Sequence, residues 1–173
     1  MEEIKVLAIG YREEIKAFNR AYFEDHHKCE SLGTLGFGTI KKRMKLGNGK
    51  EVELKLSEVL GAERYRKLDH SFYAKSNGIL MIYDINKRSS FENILLWIKG
   101  IREDKNNIPI LIIGIITDIE KERFIKEEEG KNLAEKNNCI FCESNYVLRI
   151  NINEPINTLV EQIVKQREEG KHK

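Results

Sequence analysis

The sequence lacks the features that identify exported and membrane-spanning proteins. None of its apolar runs reaches the roughly 18 residues that a membrane-spanning helix requires. The first residues, MEEIK, contain neither the basic nor the apolar part of a secretion signal. Its three cysteines are an odd number in a chain without an export signal, which favours reduced thiols over a disulfide framework. We therefore expect a cytoplasmic protein.

An excess of charge of one sign is also missing. The chain has 30 Lys+Arg against 28 Asp+Glu, a formal net charge of +2. This balance produces no strong field that would attract nucleic acid or an acidic membrane surface. A length of 173 residues suffices for one domain with a substantial core, and is short for two. We expect a single domain over 1–168 and a frayed tail over 169–173.

Two short clusters could suggest metal or redox chemistry. CIFC (139–142) matches C-x-x-C, but it lies in a strand-like run, where residues three apart point to opposite faces. No second cysteine pair accompanies it. DHHKC (25–29) likewise has no second motif that would complete a ligand set. We interpret the first as core or surface thiols and the second as a polar loop.

Apolar runs alternate with segments of helical spacing along the chain. The runs at 4–9, 51–56, 78–85, 108–116 and 139–143 predict strands, and the segments 89–104, 126–138 and 154–169 predict helices. Such alternation indicates an α/β fold. Extended segments on both sides of Gly47, Asn48 and Gly49 predict a hairpin. Together these elements predict a six-stranded mixed sheet with one antiparallel strand and about five helices.

The octapeptide GYREEIKA (10–17) follows the first predicted strand and resembles a phosphate-binding loop, G-x-x-x-x-G-K-[ST]. Gly10 and Lys16 match, whereas Ile15 replaces the second glycine and Ala17 replaces the hydroxyl. Glu13 and its neighbour Glu14 add carboxylates. A carboxylate about 5 Å from a phosphate charge costs on the order of 3 kcal/mol at an effective dielectric near 20, about two decades of affinity. The loop therefore looks unfavourable for a triphosphate.

A longer stretch resembles a known family. GAERYRKLDHSFYAKSNGILMIYDINKRSSFENILLWIKGI (61–101) is similar to the Rab branch of the Ras superfamily of small GTPases, in which a second switch, a tyrosine-bearing helix, a strand ending in Tyr-Asp and a Ser-Phe-x-Asn-x-x-x-Trp helix follow in this order. TLGFG (34–38) resembles the first-switch Thr-Ile-Gly. The resemblance runs from about residue 4 to about 165, and it implies the small-GTPase fold with GTP or GDP and Mg²⁺ as ligands.

The resemblance also assigns candidate site residues. The nucleotide-binding candidates are Gly10, Lys16, Thr34, Gly61, Asp118 and Ser144. Thr34 and Glu58 are metal candidates only if Mg²⁺ is bound. The remaining positions depart from the family: Ala62 stands where a glutamine orients the attacking water, and Ser57 stands where Rabs carry a tryptophan that effectors read.

The base-reading motifs have also changed. The family's Asn-Lys-x-Asp reads IITD (115–118), so Ile115 and Ile116 replace the asparagine and the lysine. The family's Ser-Ala-Lys reads SNYV (144–147) and keeps only its serine. Asp118 can equally be a turn residue at the end of a strand.

Two hypotheses for the function follow. In the first, the chain is a Rab-like pseudo-GTPase that binds protein partners through its switch-derived surface, without a catalytic residue or cofactor. In the alternative, it is a divergent and very slow GTPase that still binds GTP or GDP with Mg²⁺ and acts in vesicle trafficking or signalling. An unrelated α/β binding domain is a third, weaker interpretation. EEGKHK offers no cysteine for a lipid anchor.

Under the first hypothesis the nucleotide pocket must be stabilised in another way. We expect Ile15, Ile115 and Ile116 to fill it partly, or the 11–17 loop to close onto it. Lys16 is then expected to pair with Glu13, Glu14 or Glu58.

Overall fold

Strands and helices follow each other in the order that the apolar runs predict. The computed structural model describes residues 1–23, 39–59, 61–65, 67–68, 70–104 and 107–173. The elements in this part of the chain are β1 Glu2–Ile9, α1 Arg12–Phe23, β2 Thr39–Lys45, β3 Glu51–Val59, α2 His70–Tyr73, β4 Gly78–Asp84, α3 Arg88–Glu103, β5 Ile110–Ile116, α4 Glu127–Lys136, β6 Ile140–Asn145 and α5 Glu154–Lys171, with a 3₁₀ turn at Ala62–Arg64. Helix α5 thus continues into the segment 169–173, whose residues are all exposed.

The six strands form one sheet in the order β2-β3-β1-β4-β5-β6. Only β2 is antiparallel to its neighbour, and the other pairs are parallel. The predicted hairpin is present: the Gly49 amide donates to the carbonyl of Leu46, with Gly49 at φ 85°, where a glycine is favoured. These observations confirm the predicted six-stranded mixed sheet of a small-GTPase fold. Because the parallel strands share a direction, the loops that follow them meet at one edge.

Each face of the sheet is covered by its own apolar cluster, because the side chains of a strand alternate between the two faces. In β4, Leu80 and Ile82 join the cluster under α1 and α5, whereas Ile79, Met81 and Tyr83 join the cluster under α3 and α4. This double burial explains why β4 and β5 read as continuous apolar runs.

The cysteines of CIFC divide between these two clusters. Cys142 packs against the first and Cys139 against the second, which confirms that they point to opposite faces. Burial raises the pKa of both thiols, that of Cys142 to about 12. No group of three or more His, Cys, Asp or Glu side chains that could hold a metal occurs in the described ranges. The cluster at 25–29 lies outside them.

No helix in the described part of the chain is long and apolar enough to cross a membrane.

Glycines permit the closest packing in the second cluster. The Tyr83 ring lies edge-on to Phe91, with centroids 4.9 Å apart, and its hydroxyl points at the backbone of Gly130 in α4. A Cβ added at Gly130 would lie 2.6 Å from the Tyr83 hydroxyl oxygen and 2.6 Å from Cζ of Phe141. A side chain at Gly130 would therefore require the rings of Tyr83 and Phe141 to move.

We predict that Gly130→Ala destabilises the fold by about 1–3 kcal/mol, because the rings of Tyr83 and Phe141 must move to admit a methyl group. Gly170→Ala in α5 is the matched control, since a Cβ there meets nothing within 4 Å. Its effect should range from none to about 1 kcal/mol of stabilisation, from helix propensity. Urea unfolding of both variants measures the difference. Equal midpoints would show that the second cluster is not tightly packed around Gly130.

Candidate functional site

Four of the predicted site residues lie at the carboxyl edge of the sheet. Gly10 directly follows β1, Gly61 follows β3, Asp118 follows β5, and Ser144 lies near the end of β6. Lys16 is on the exposed side of α1. Thr34 falls outside the described residues. The topology thus brings four of the six candidates to one edge, as parallel strands require.

Helix α1 begins earlier than the sequence pattern predicts. It starts at Arg12, and the Ile15 amide donates to the Tyr11 carbonyl over 3.0 Å, the bond of a regular helical turn. The expectation that 11–17 forms a loop was therefore wrong from Arg12 onward. Its physical reason is the missing second glycine, since Ile15 lets the helix extend and glutamates in a first turn favour a helix start.

Ile15 is fully buried, and its side chain belongs to the first apolar cluster. The Ile15 side chain lies close to Gly10, just before the helix. A Cβ added at Gly10 would lie 3.5 Å from Cγ1 of Ile15 and 3.0 Å from the Ile82 carbonyl oxygen. Ile115 is fully buried in the same cluster, and Ile116 is half-buried against the second. The three isoleucines expected to fill the pocket are thus parts of the two cores.

The carboxylate of Glu14 lies next to the loop after β4. Glu14 is 2% exposed, and its Oε1 lies 3.9 Å from Nζ of Lys87. The same ammonium lies over the Tyr11 ring, 4.7 Å from the centroid, and Asn93 of α3 donates to the Tyr11 hydroxyl. These contacts join the start of α1 to α3. Asn93 is the asparagine of the Ser-Phe-x-Asn-x-x-x-Trp motif, which predicted a helix and not this contact, and no motif pointed to Lys87.

The predicted ion pairs of Lys16 were wrong. Lys16 is exposed and forms no ion pair in the described part of the chain, whereas Glu14 pairs with Lys87. Residues two apart in a helix lie about 200° apart around its axis, so Lys16 and Glu14 point in different directions once α1 starts at Arg12.

Glu58 has acquired a neighbour from α1. Its carboxylate is 6% exposed and accepts a hydrogen bond from the side-chain amide of Asn19. Desolvation raises the pKa of Glu58, and the Asn19 hydrogen bond partly opposes that change. Ala17, at the position of the family's metal-binding hydroxyl, packs against the first apolar cluster. The only Mg²⁺ candidate described by the structure therefore faces an amide donor.

In the second-switch segment, Gly61 bonds to Arg64 and the position of the family's glutamine is apolar. Gly61 has φ 68°, and its carbonyl accepts from the Arg64 amide over 3.1 Å and from the Arg64 Nε over 3.3 Å. Ala62 is fully buried in the second cluster. A methyl group in that location cannot orient a water molecule.

Polar groups of the base-reading motifs are bonded within the chain. Asp118 Oδ1 accepts from the Glu120 amide over 2.9 Å, as a turn residue does. Ser144 Oγ donates to the Asn151 carbonyl over 2.7 Å, and the Tyr146 amide donates to the Ile116 carbonyl over 2.9 Å. Sequence reasoning gave Asp118 and Ser144 as nucleotide contacts, and that assignment stays a prediction.

Comparison with known proteins identifies the class. The Ras family model matches residues 5–165. The chain is 31% identical to Ras-related protein RABA2b of Arabidopsis thaliana over 161 residues, 92% of this chain and 75% of that protein. It is 33% identical to GTP-binding protein ypt3 of Schizosaccharomyces pombe over 145 residues, which are 83% of this chain and 67% of that protein. Ras-related protein RGP2 of Oryza sativa is 30% identical over 143 residues, 82% of this chain and only 65% of the relative.

The fold and these matches define a Ras-type G domain. The chain belongs to the Ras family and is a Rab-like member of it. It spans between just under two thirds and three quarters of the length of these relatives.

We predict that Glu58→Gln stabilises the fold at neutral pH relative to the wild type. The buried carboxyl has a raised pKa, so the folded state holds its proton more strongly than the unfolded state. Wild-type stability contributed by this group is therefore lost as pH rises above the ordinary value of 4.5. Glutamine keeps the acceptor for Asn19 and carries no charge. Unfolding free energies of both proteins from pH 4 upward give the difference.

The control for this experiment is Glu51→Gln, at the exposed start of the same strand. The difference in unfolding free energy between Glu51→Gln and the wild type should not grow with pH as the difference for Glu58→Gln does. If Glu58→Gln instead becomes less stable than the wild type as pH rises, the fold stabilises Glu58 as a carboxylate. That result contradicts the prediction.

Proposed function

We propose that this chain is a Rab-like pseudo-GTPase: a scaffold that binds protein partners, with GTP binding and hydrolysis weak or lost. The observation that carries the proposal is the early start of α1. Residues 12–17 are helical, and the Ile15 amide is used by the helix, so it is not presented to a phosphate. A loop that wraps phosphates relies on such free amides.

Two further features support weak nucleotide binding. The buried carboxylate of Glu14 lies in the first turn of α1, where the family's loop receives a phosphate, and a second anion there would be repelled. Glu58 accepts from Asn19, and Ala17 has no oxygen to offer Mg²⁺. The described residues therefore do not fit a Mg²⁺-bound triphosphate in this conformation.

The second-switch segment supports the protein-binding part of the proposal. Leu68 and Tyr73 are 1% exposed, and Nε1 of Trp97 donates to the Tyr65 carbonyl over 3.0 Å. Tyr65 and Phe72 are half-buried and pack edge to face, with ring centroids 5.2 Å apart. These contacts are made among described residues of the chain, which supports a partner-binding surface that forms without a γ-phosphate.

One observation favours the alternative of a slow GTPase in vesicle trafficking or signalling. Lys16 keeps its position and is exposed, so its ammonium remains available to a phosphate. Asp118 could similarly exchange its turn bond for a guanine. Under this alternative, binding must be accompanied by unwinding of the first turn of α1.

The two functions make opposite predictions in titration calorimetry with GTP or GDP and Mg²⁺. We expect no affinity tighter than about 100 μM, which corresponds to about 5.5 kcal/mol of binding free energy. Lys16→Ala should give the same result as the wild type, because Lys16 holds no phosphate. A micromolar affinity that Lys16→Ala abolishes would contradict the proposal and establish the alternative. Release of guanine nucleotide when the purified protein is denatured would do the same.

A further inference from the structure

Three cations form a row on the exposed face of α1. Arg12, Lys16 and Arg20 stand four residues apart, so they follow one another along the helix over about 12 Å. All three side chains are exposed, and none forms an ion pair with the residues that the structure describes. By contrast, Lys41 of β2 lies 3.3 Å from a carboxylate oxygen of Glu53, and Lys50, just before β3, lies 2.7 Å from one of Glu2.

Arg20 suits its place in the last turn of α1, whereas Arg12 and Lys16 work against the helix that carries them. Arg12 stands at the N-terminal end, where the helix dipole is positive. Lys16 has a cation four residues away on both sides, and like charges at that spacing repel each other. The exposed Glu13 forms no ion pair with the row within the described ranges. Functional sites are where departures from local rules are expected, and no contact among the described residues compensates this one.

An apolar patch adjoins the C-terminal end of the row. Val147, Leu148 and Ile150, on the loop between β6 and α5, are 46%, 58% and 50% exposed. Between them, Arg149 has φ 57° and donates from Nη1 to the carbonyl of Ala21 over 3.3 Å. This bond holds the loop against α1. We call the three cations and the three apolar side chains together the α1 face.

We propose that the α1 face docks an acidic amphipathic helix of a protein partner. Carboxylates four residues apart on such a helix match the spacing of the cations, and its apolar side chains would cover Val147, Leu148 and Ile150. With Arg149, the row supplies four cations, the lower end of the clusters of about 4–8 that bind an anionic membrane surface. This number is lower than the about 6–10 phosphate contacts of a strongly salt-dependent nucleic-acid complex. The adjoining exposed apolar side chains favour a protein partner instead.

The test uses the full chain and a labelled synthetic peptide of about four helical turns, with glutamates at every fourth position and leucines beside them. Fluorescence anisotropy is measured with and without GTP and at low and high salt. We expect binding without GTP that weakens as salt rises, because the α1 face is exposed and screened. Lys16→Glu should weaken it about tenfold or more.

The same variant should keep or raise its melting temperature, since a glutamate at 16 pairs with Arg12 and Arg20. Lys165→Glu, an exposed lysine of α5, is the matched control and should change the affinity less than about twofold. A peptide with lysines in place of its glutamates should bind the triple variant Arg12→Glu, Lys16→Glu, Arg20→Glu and not the wild type.

Three results would overturn the proposal. The first is absence of peptide binding, and the second is equal affinity for the wild type and Lys16→Glu. The third is binding of the wild type to phosphatidylserine vesicles, but not to the peptide, through the same cations. The nucleotide titration is read separately, so failure of the α1 face leaves the proposed loss of GTP binding unaffected.

Discussion

The burial of Ile15 against the sheet is the interaction on which the carboxyl edge depends. Burying an isoleucine side chain contributes about 1.5–3 kcal/mol, and Ile15 reaches the first apolar cluster as part of a helix that starts at Arg12. This register then decides the other contacts. Glu14 faces the loop after β4, Lys16 faces solvent, and Asn19, one turn beyond Ile15, faces Glu58.

Several polar groups at the same edge bond to one another, whereas Oδ1 of Asn19 and Oδ1 of Asn86 accept no hydrogen bond within the described residues. The Phe124 amide donates to the Ile85 carbonyl over 2.8 Å, and the Asn86 side chain donates to the carbonyl of Glu122 over 2.7 Å. These two bonds connect the loops after β4 and β5, and the Tyr146 amide, which donates to the Ile116 carbonyl, connects the loop after β6 to the end of β5. A ligand that enters here must replace bonds worth about 1 kcal/mol each.

Most of the fold could be predicted from the sequence because its signals are redundant. Strands buried on both faces require continuous apolar runs. A Gly-Asn-Gly turn with an extended segment on each side permits little besides a hairpin. The helices after β4, β5 and β6 begin and end within two residues of the predicted bounds. The site was less predictable. Thr34 lies outside the described residues, and the contacts of Asn19 and Lys87 depend on tertiary packing that no local motif specifies.

The error at GYREEIKA shows why the site is the harder part. Two matched positions, Gly10 and Lys16, favoured a loop, but the conformation is decided by the positions between them. The segment REEIKAF has two glutamates in its first turn and an apolar residue at Ile15 and again at Phe18, three residues later, which is the pattern of an amphipathic helix. Loss of one glycine therefore changes more than the approach of a phosphate. Here residues 12–17 are helical, and the helix aligns Arg12 with Lys16 on one face, where a loop would have separated them. The proposed weak phosphate binding and the proposed role of the α1 face thus rest on the same feature, the start of α1 at Arg12.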